Sequence, residues 1–158
     1  MPIYDIGIVL DGVKIIERTY HEKEFYKFNK NISFILDIIM SSSSVLLNDS
    51  LKFMILDEFT IAMYSNTIEI IKLINNKDQI IPIKIGIFCI GDRSLIQYGI
   101  FIILKKIYKE FVKIYFKPQN PYLNYLNLQK YDNFKYTIDK YLEDLKFSPI
   151  ERLKLGVL

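Results

Sequence analysis

Apolar residues recur at alternate positions on both sides of Asp11-Gly12, at Ile6, Ile8 and Leu10 before it and at Val13 and Ile15 after it. A period of two is typical of a strand with one buried face. Asp-Gly accepts the positive φ angles of a tight two-residue turn, so this segment predicts a β-hairpin. Folding at the turn predicts three cross-strand pairs: Leu10 with Val13, Ile8 with Ile15, and Asp5 with Arg18.

After a polar stretch, apolar residues recur at helical spacing from about Ile32 to Leu47. Asn31 or its neighbour would cap this helix. The apolar spacing continues across four consecutive serines, which favours one helix over a linker, although serine is a middling helix former and the linker alternative stays open. On the helix the serines form a patch of small side chains: Ser41, Ser42, Ser43 and Ser44.

The segment from Leu51 to Ile90 predicts strands, with turn-forming residues at Asn66 and in "NNKDQ". It holds three strands or four, because "TIAMYSNTIEIIKLIN" fits one long strand or a hairpin. The last run, "IIPIKIGIFCI", is almost continuously apolar, which indicates an interior position in the sheet. Alternation places four of its residues on one face: Ile83, Ile85, Ile87 and Cys89.

Two helices are predicted after this strand. "GDRS" opens the first, with Asp92 or Ser94 as its N-cap, and "KPQNP" ends it. Its apolar stripe covers about twenty residues and consists of Ile96, Ile100, Ile103 or Leu104, Ile107, Phe111 and Ile114. The second runs from about Leu128 to Lys146, with Phe134, Ile138, Tyr141 or Leu142, and Leu145 on one side.

The chain has 158 residues, enough for one domain with a substantial core. The pattern predicts an α+β fold with an antiparallel sheet of about five strands, in the order β-β-α-β-β-β-α-α. We expect the domain to cover residues 1–146 and residues 147–158 to form an irregular tail. No signal peptide is visible and there is one cysteine, which suits a cytoplasmic protein.

Candidate catalytic residues are few. His21 is the only histidine and lies in a polar segment, and Cys89 alternates with isoleucines as a buried, inert thiol would. Asp57 and Glu58 are adjacent, so on a strand they point to opposite faces. The six glycines give neither a phosphate loop nor a dinucleotide motif. We therefore expect a protein that is not an enzyme and has no cofactor or metal.

Charge is distributed unevenly. Residues 1–79 carry 8 basic and 11 acidic side chains, whereas residues 80–158 carry 13 and 7. Lysines recur on the polar side of the helix after the last strand: Lys105, Lys106, Lys109, Lys113 and Lys117. They form either a solvated face or a contact surface for anionic lipid or an acidic partner. With three arginines in the chain, nucleic-acid binding is not expected.

The sequence as a whole resembles the longin superfamily. The resemblance is carried by "YDIGIVLDGVKIIERTY" and by "IKIGIFCIGDRSLIQYGIFIILKKIYKEF". The end, "IYKEFVKIYFKPQNPYLNYL" followed by "FKYTIDKYLEDL", is similar to the sedlin and sybindin-type small subunits of TRAPP tethering complexes. Relative to these, "TIEIIKLINNKDQ" looks like an insertion.

This resemblance implies a scaffold without chemistry of its own, in a vesicle-tethering or small-GTPase-regulating complex. Expected partners are other longin-like or roadblock-like subunits and a GTPase of the Rab or Arf type, in a homo- or heterodimer. A strand edge in "LKFMILDEF" and the serine patch offer a contact surface, for which we select Ser41 to Ser44, Leu51, Phe53 and Ile55. The alternatives are a small adaptor or coat chain and a peripheral membrane-binding module that uses the lysines.

Overall fold

A computed structural model gives the fold and describes residues 3–20, 52–56, 59–116 and 128–143. These residues form an α+β structure with one five-stranded antiparallel sheet and two α-helices, which confirms the expected fold class at that level. The strands are β1 (Ile3–Leu10), β2 (Val13–Thr19), β3 (Lys52–Leu56), β4 (Phe59–Ile74) and β5 (Lys77–Asp92). The helices are α1 (Ile100–Tyr115) and α2 (Phe134–Tyr141).

The predicted first hairpin is present, with its turn at Asp11-Gly12 in positive φ (47° and 82°). Leu10 pairs with Val13 as predicted, but the two other pairs are wrong by one residue. A β-bulge shifts the register between Ile8 and Val9, so that Ile8 faces Ile16, Ile6 faces Arg18 and Asp5 faces Thr19. The extra residue on β2 separates Asp5 from Arg18 and places their side chains on opposite faces.

The segment from Phe59 to Asp92 forms one long hairpin. β4 and β5 have 16 residues each and pair from Phe59↔Asp92 to Ile74↔Lys77. Between Leu51 and Asp92 the described residues therefore form three strands, and Asn66, predicted as a turn, lies within β4. The "NNKDQ" turn is confirmed at Asn75 and Asn76, whose φ angles of 52° and 60° suit a two-residue hairpin turn.

The sheet order is β2-β1-β5-β4-β3, so β5 occupies the centre, as its continuous apolar sequence predicted. The first hairpin supplies one edge of the sheet and the strand next to β5. One face of β5 joins β1 and the helices in the main core, and it includes the four residues predicted to share a face: Ile83, Ile85, Ile87 and Cys89. The opposite face is also buried, at Phe88, Ile90, Ile61, Met63 and Val9.

The predicted helix after β5 is divided in two. A 3₁₀ helix, Arg93–Tyr98, comes first, and Asp92 caps it by accepting hydrogen bonds from the N–H (2.8 Å) and hydroxyl of Ser94. Gly99 then takes a left-handed conformation with φ 66°, and α1 begins at Ile100. Most of the predicted stripe is buried, namely Ile100, Leu104, Ile107 and Phe111, whereas Ile114 is exposed.

The predicted last helix is also shorter and begins later than expected. A 3₁₀ helix, Leu128–Tyr131, precedes α2, which buries Phe134 and Ile138 against the core. Phe111 of α1 contacts Tyr131 and Phe134 with ring centroids 5.4 and 5.1 Å apart, so aromatic packing holds this end of the chain on the sheet. Leu145 and the predicted tail, 147–158, lie outside the described residues.

Candidate interaction surface

Strand β3 is an edge of the sheet. It pairs with β4 from Lys52↔Met63 to Leu56↔Phe59, and no other strand of the described residues pairs with it. A strand in this position presents unpaired N–H and C=O groups along one side, which can pair with an added strand. The predicted edge in "LKFMILDEF" is therefore present.

Three consecutive side chains of β3 are apolar and yet exposed to solvent. Phe53 is 55% exposed and Ile55 is 54% exposed, and Met54 on the other face is also exposed. Phe53 lies beside the start of α1, where its ring centroid is 6.0 Å from that of Phe101. Because about half of each side chain is already buried, completing its burial in a partner would contribute about 0.8–1.5 kcal/mol each. Backbone and side chains of β3 thus form one contact surface.

The structure describes part of the surface selected from sequence. Phe53 and Ile55 lie together on one face of β3, because alternate residues of a strand point the same way. Leu51 and the serines Ser41, Ser42, Ser43 and Ser44 lie outside the described residues, as does the predicted helix that carries the serines.

The predicted lysine face is present on α1. Lys105, Lys106, Lys109 and Lys113 are exposed, on the side of the helix opposite its buried stripe. Ile102 is exposed on the same side, which the sequence did not predict. Lys117 lies outside the described residues.

Candidate catalytic groups do not form a site in the described part of the chain. Cys89 is fully buried in β5, and burial raises the pKa of its thiol well above the ordinary value, so it remains protonated. No three potential metal ligands among His, Cys, Asp and Glu converge within the described residues. His21, Asp57 and Glu58 lie outside them.

Asp5 is a buried acid that sequence reasoning missed. Because of the bulge its side chain points to the sheet face opposite the helices, where it is fully buried, and neither carboxyl oxygen has a hydrogen-bond partner among the described residues. Burial, with a further contribution from the nearby Glu17, raises its pKa to about 8. Asp5 is therefore mostly uncharged at neutral pH. The sequence pattern gave no sign of this, since it predicted a cross-strand pair of Asp5 with Arg18.

Arg18 instead joins the first hairpin to α2. Its Nε and Nη2 donate to the two carboxylate oxygens of Asp139, at 3.1 and 2.8 Å, and the hydroxyl of Tyr20 donates to the same carboxylate at 2.5 Å. The hydrogen bonds to Asp139 raise the pKa of the Arg18 guanidinium above its ordinary value. No short-range sequence signal could have shown this cluster, because Asp139 is about 120 positions away from both Arg18 and Tyr20.

No protein-family model matches this chain, and no curated protein matches it either. The candidate surface is thus defined by the geometry of β3 and α1. Within the described residues, no helix has the length and apolar character needed to cross a bilayer.

Proposed function

We propose that this chain is a non-enzymatic protein-interaction subunit of the longin type, a TRAPP-like scaffold in a vesicle-tethering or small-GTPase-regulating complex. The observation that carries the proposal is the edge strand β3, whose exposed Phe53 and Ile55 continue an open backbone edge. The described elements, two strands followed by three strands and two helices, are compatible with it, because the resemblance implies these elements together with a helix between the second and third strands, and that predicted helix lies outside the described residues.

The surface fits a partner that adds a strand to β3. Backbone pairing would supply affinity, and the apolar patch of Phe53, Ile55 and Phe101 would supply specificity by accepting alternate side chains of the added strand. Expected partners are longin-like or roadblock-like subunits, or a GTPase of the Rab or Arf type bound to such a pair.

Affinity capture from the native cell extract tests this proposal. Tagged wild-type chain is compared with Phe53→Asp/Ile55→Asp and with a matched control, Tyr136→Asp, at an exposed aromatic on α2. We expect wild type and control to recover the same longin-like subunits or small GTPase, and the double variant to lose them. Recovery of none of these classes by the wild type, or equal recovery by the double variant, would refute the proposal.

A second candidate is a peripheral membrane-binding module, favoured by the lysine face of α1 with Ile102 at its centre. Sedimentation with vesicles that contain or lack phosphatidylserine tests it. Binding that requires the anionic lipid, falls with added salt and is lost in Lys105→Glu/Lys109→Glu supports this candidate. Absence of binding at low salt excludes it.

A further inference from the structure

The far ends of β4 and β5 form a two-stranded arm, residues 65–84. β3 pairs with β4 only as far as Lys52↔Met63, and β1 pairs with β5 only as far as Leu10↔Ile85. Beyond those points β4 and β5 pair only with each other among the described strands. The arm contains "TIEIIKLINNKDQ", the segment that looks like an insertion relative to the longin resemblance. Within the described residues it therefore has two edges of its own.

Hydrogen bonds to Lys84 fix which way the backbone groups of β5 point. Asp11 donates its N–H to the carbonyl of Lys84 at 2.9 Å, and Lys84 donates its N–H to Asp11 Oδ1 at 2.8 Å. Both backbone groups of Lys84 thus point away from β4. Since this direction alternates along an antiparallel strand, Pro82 also turns its nitrogen outward. A proline has no N–H to donate, so Asp11 and Pro82 shorten this edge. In the arm, this leaves only Ile80 and Asp78 of β5 with both an N–H and a C=O turned outward.

The same alternation turns backbone N–H and C=O groups outward along the other edge of the arm, on β4. Glu69 pairs with Pro82, so its N–H and C=O point away from β5, and those of Ile71 and Leu73 do likewise. Thr67 confirms the direction, because its outward N–H binds the side-chain oxygen of Asn66 at 2.8 Å. Asn66 limits the open stretch at one end and the turn at residues 75–76 limits it at the other. Ile71 is at the centre of the open stretch.

An apolar row crosses the arm at the same place. Ile71 lies directly opposite Ile80, and they are 44% and 68% exposed. Leu73 is 43% exposed on the same face, next to Ile71. The open edge thus runs alongside a set of exposed aliphatic side chains.

We propose that the arm binds the arm of a second copy of this chain, with the two β4 edges antiparallel about a two-fold axis at Ile71. A two-fold axis must place outward residues opposite outward residues. With the axis at Ile71, each Ile71 faces the other, each Glu69 faces Leu73 of the second copy, and no like charges lie directly opposite.

Several features favour a second copy over another partner. In the dimer, the Ile71–Ile80 pairs of the two arms would lie side by side and form one continuous apolar row. The two-fold axis is sufficient to align them. The β5 edge offers two residues with an outward N–H, against three on β4, so pairing through β4 is favoured, and a two-fold pairing closes as a dimer instead of a filament. This edge is shorter than a standard interface of about 800 Å² per partner needs, so the dimer should dissociate on dilution.

Sedimentation velocity of the purified full chain over a range of concentrations tests the association. We expect the sedimentation coefficient of wild type to rise with concentration and that of Ile71→Lys to stay at the monomer value. Ile102→Lys, at an isoleucine on α1 that is more exposed than Ile71, is the matched control and should behave as wild type. A wild type that is monomeric throughout, or an Ile71→Lys variant that associates as wild type does, would overturn the proposal.

Disulfide formation tests the register. The natural Cys89 is fully buried, so an introduced cysteine is the reactive thiol. Under mild oxidation, Ile71→Cys should give at least about tenfold more cross-linked dimer than Ile80→Cys, because only position 71 meets itself across the axis. Equal yields would show random collision or another interface, such as β3, and would refute the pairing. This inference is independent of the proposed function, which Phe53→Asp/Ile55→Asp tests on a different surface.

Discussion

At the scale of single residues, Asp5 makes the free energy of unfolding depend on pH. Its pKa is about 8 in the folded chain against 3.8 when exposed, because burial disfavours the charged form. A carboxyl group whose pKa is raised on folding contributes its full share below pH 3.8. Between the two pKa values the unfolded chain ionises while the folded chain holds the carboxyl neutral, so that contribution is lost as the pH rises from 3.8 to about 8, and the loss levels off above that pH.

We therefore expect wild type to lose about 2–3 kcal/mol of unfolding free energy between pH 6 and pH 9 through this group alone. Asp5→Asn should remove that loss and be more stable than wild type at pH 9. Urea unfolding at the two pH values measures both effects, with Asp78→Asn at an exposed position as the control. A wild-type profile that Asp5→Asn leaves unchanged would contradict a buried neutral carboxyl.

Gly7 is required by the packing of β1. A Cβ at this position would lie 2.5 Å from the Phe88 ring and 2.7 Å from the carbonyl oxygen of Ile16. Gly7→Ala should cost about 1–3 kcal/mol of unfolding free energy, through overpacking. Gly86→Ala is the matched control, since its Cβ would meet the nearest atom, Met63 Sδ, at an ordinary 3.7 Å. Thermal unfolding of the two variants makes the comparison, and equal melting temperatures would contradict it.

Among the elements, α2 depends on a contact with β2. Asp139→Ala removes the acceptor shared by Arg18 and Tyr20, and we expect a loss of about 1 kcal/mol, kept small because Arg18 is partly solvated. Hydrogen exchange of α2 amides should accelerate in this variant. Asp132→Ala removes only an exposed contact with Lys135 at 3.9 Å and should leave exchange unchanged. Unaltered exchange in Asp139→Ala would show that aromatic packing alone holds α2.

Sequence patterns were sufficient to predict some features of the elements and insufficient for others. The interior position of β5 and the buried stripe of α1 follow from local apolar spacing, which reports burial directly. The bulge in β2 and the helix break at Gly99 do not, because each is a one-residue change in backbone conformation with no periodic signal. Asn66 was predicted as a turn, yet pairing with Ile85 keeps it in β4.

The candidate surface, like the fold, could be predicted from the sequence only in part. "LKFMILDEF" was recognised as a strand, but its exposure depends on its place at the sheet edge, which follows from the order of all five strands. The arm edge was missed for a related reason. Its open side is set by the direction of the backbone at Lys84 and by Pro82, and both depend on the long β4–β5 pairing that the sequence left undecided.

At the scale of the whole molecule, the sheet is buried on both faces around β5, and its exposed large apolar side chains among the described residues are on β3, at the arm and at Val13 of β2. Cys89 lies at the centre of this arrangement and is the chain's one cysteine. A thiol reagent can reach it only if β5 is uncovered. Its reaction therefore reports whether the molecule opens as one unit or in parts.

We expect Cys89 to react with a disulfide reagent only through global unfolding, because β1 and β4 pair with β5 on either side and the helices cover this face. The opening free energy from labelling should then equal that from circular dichroism and fall with urea at the same slope. In a Cys89→Ala background, Ile80→Cys should react at the rate of a free thiol, since Ile80 is exposed. A Cys89 labelling rate independent of urea would show that β5 opens locally and that the sheet is not a single cooperative unit.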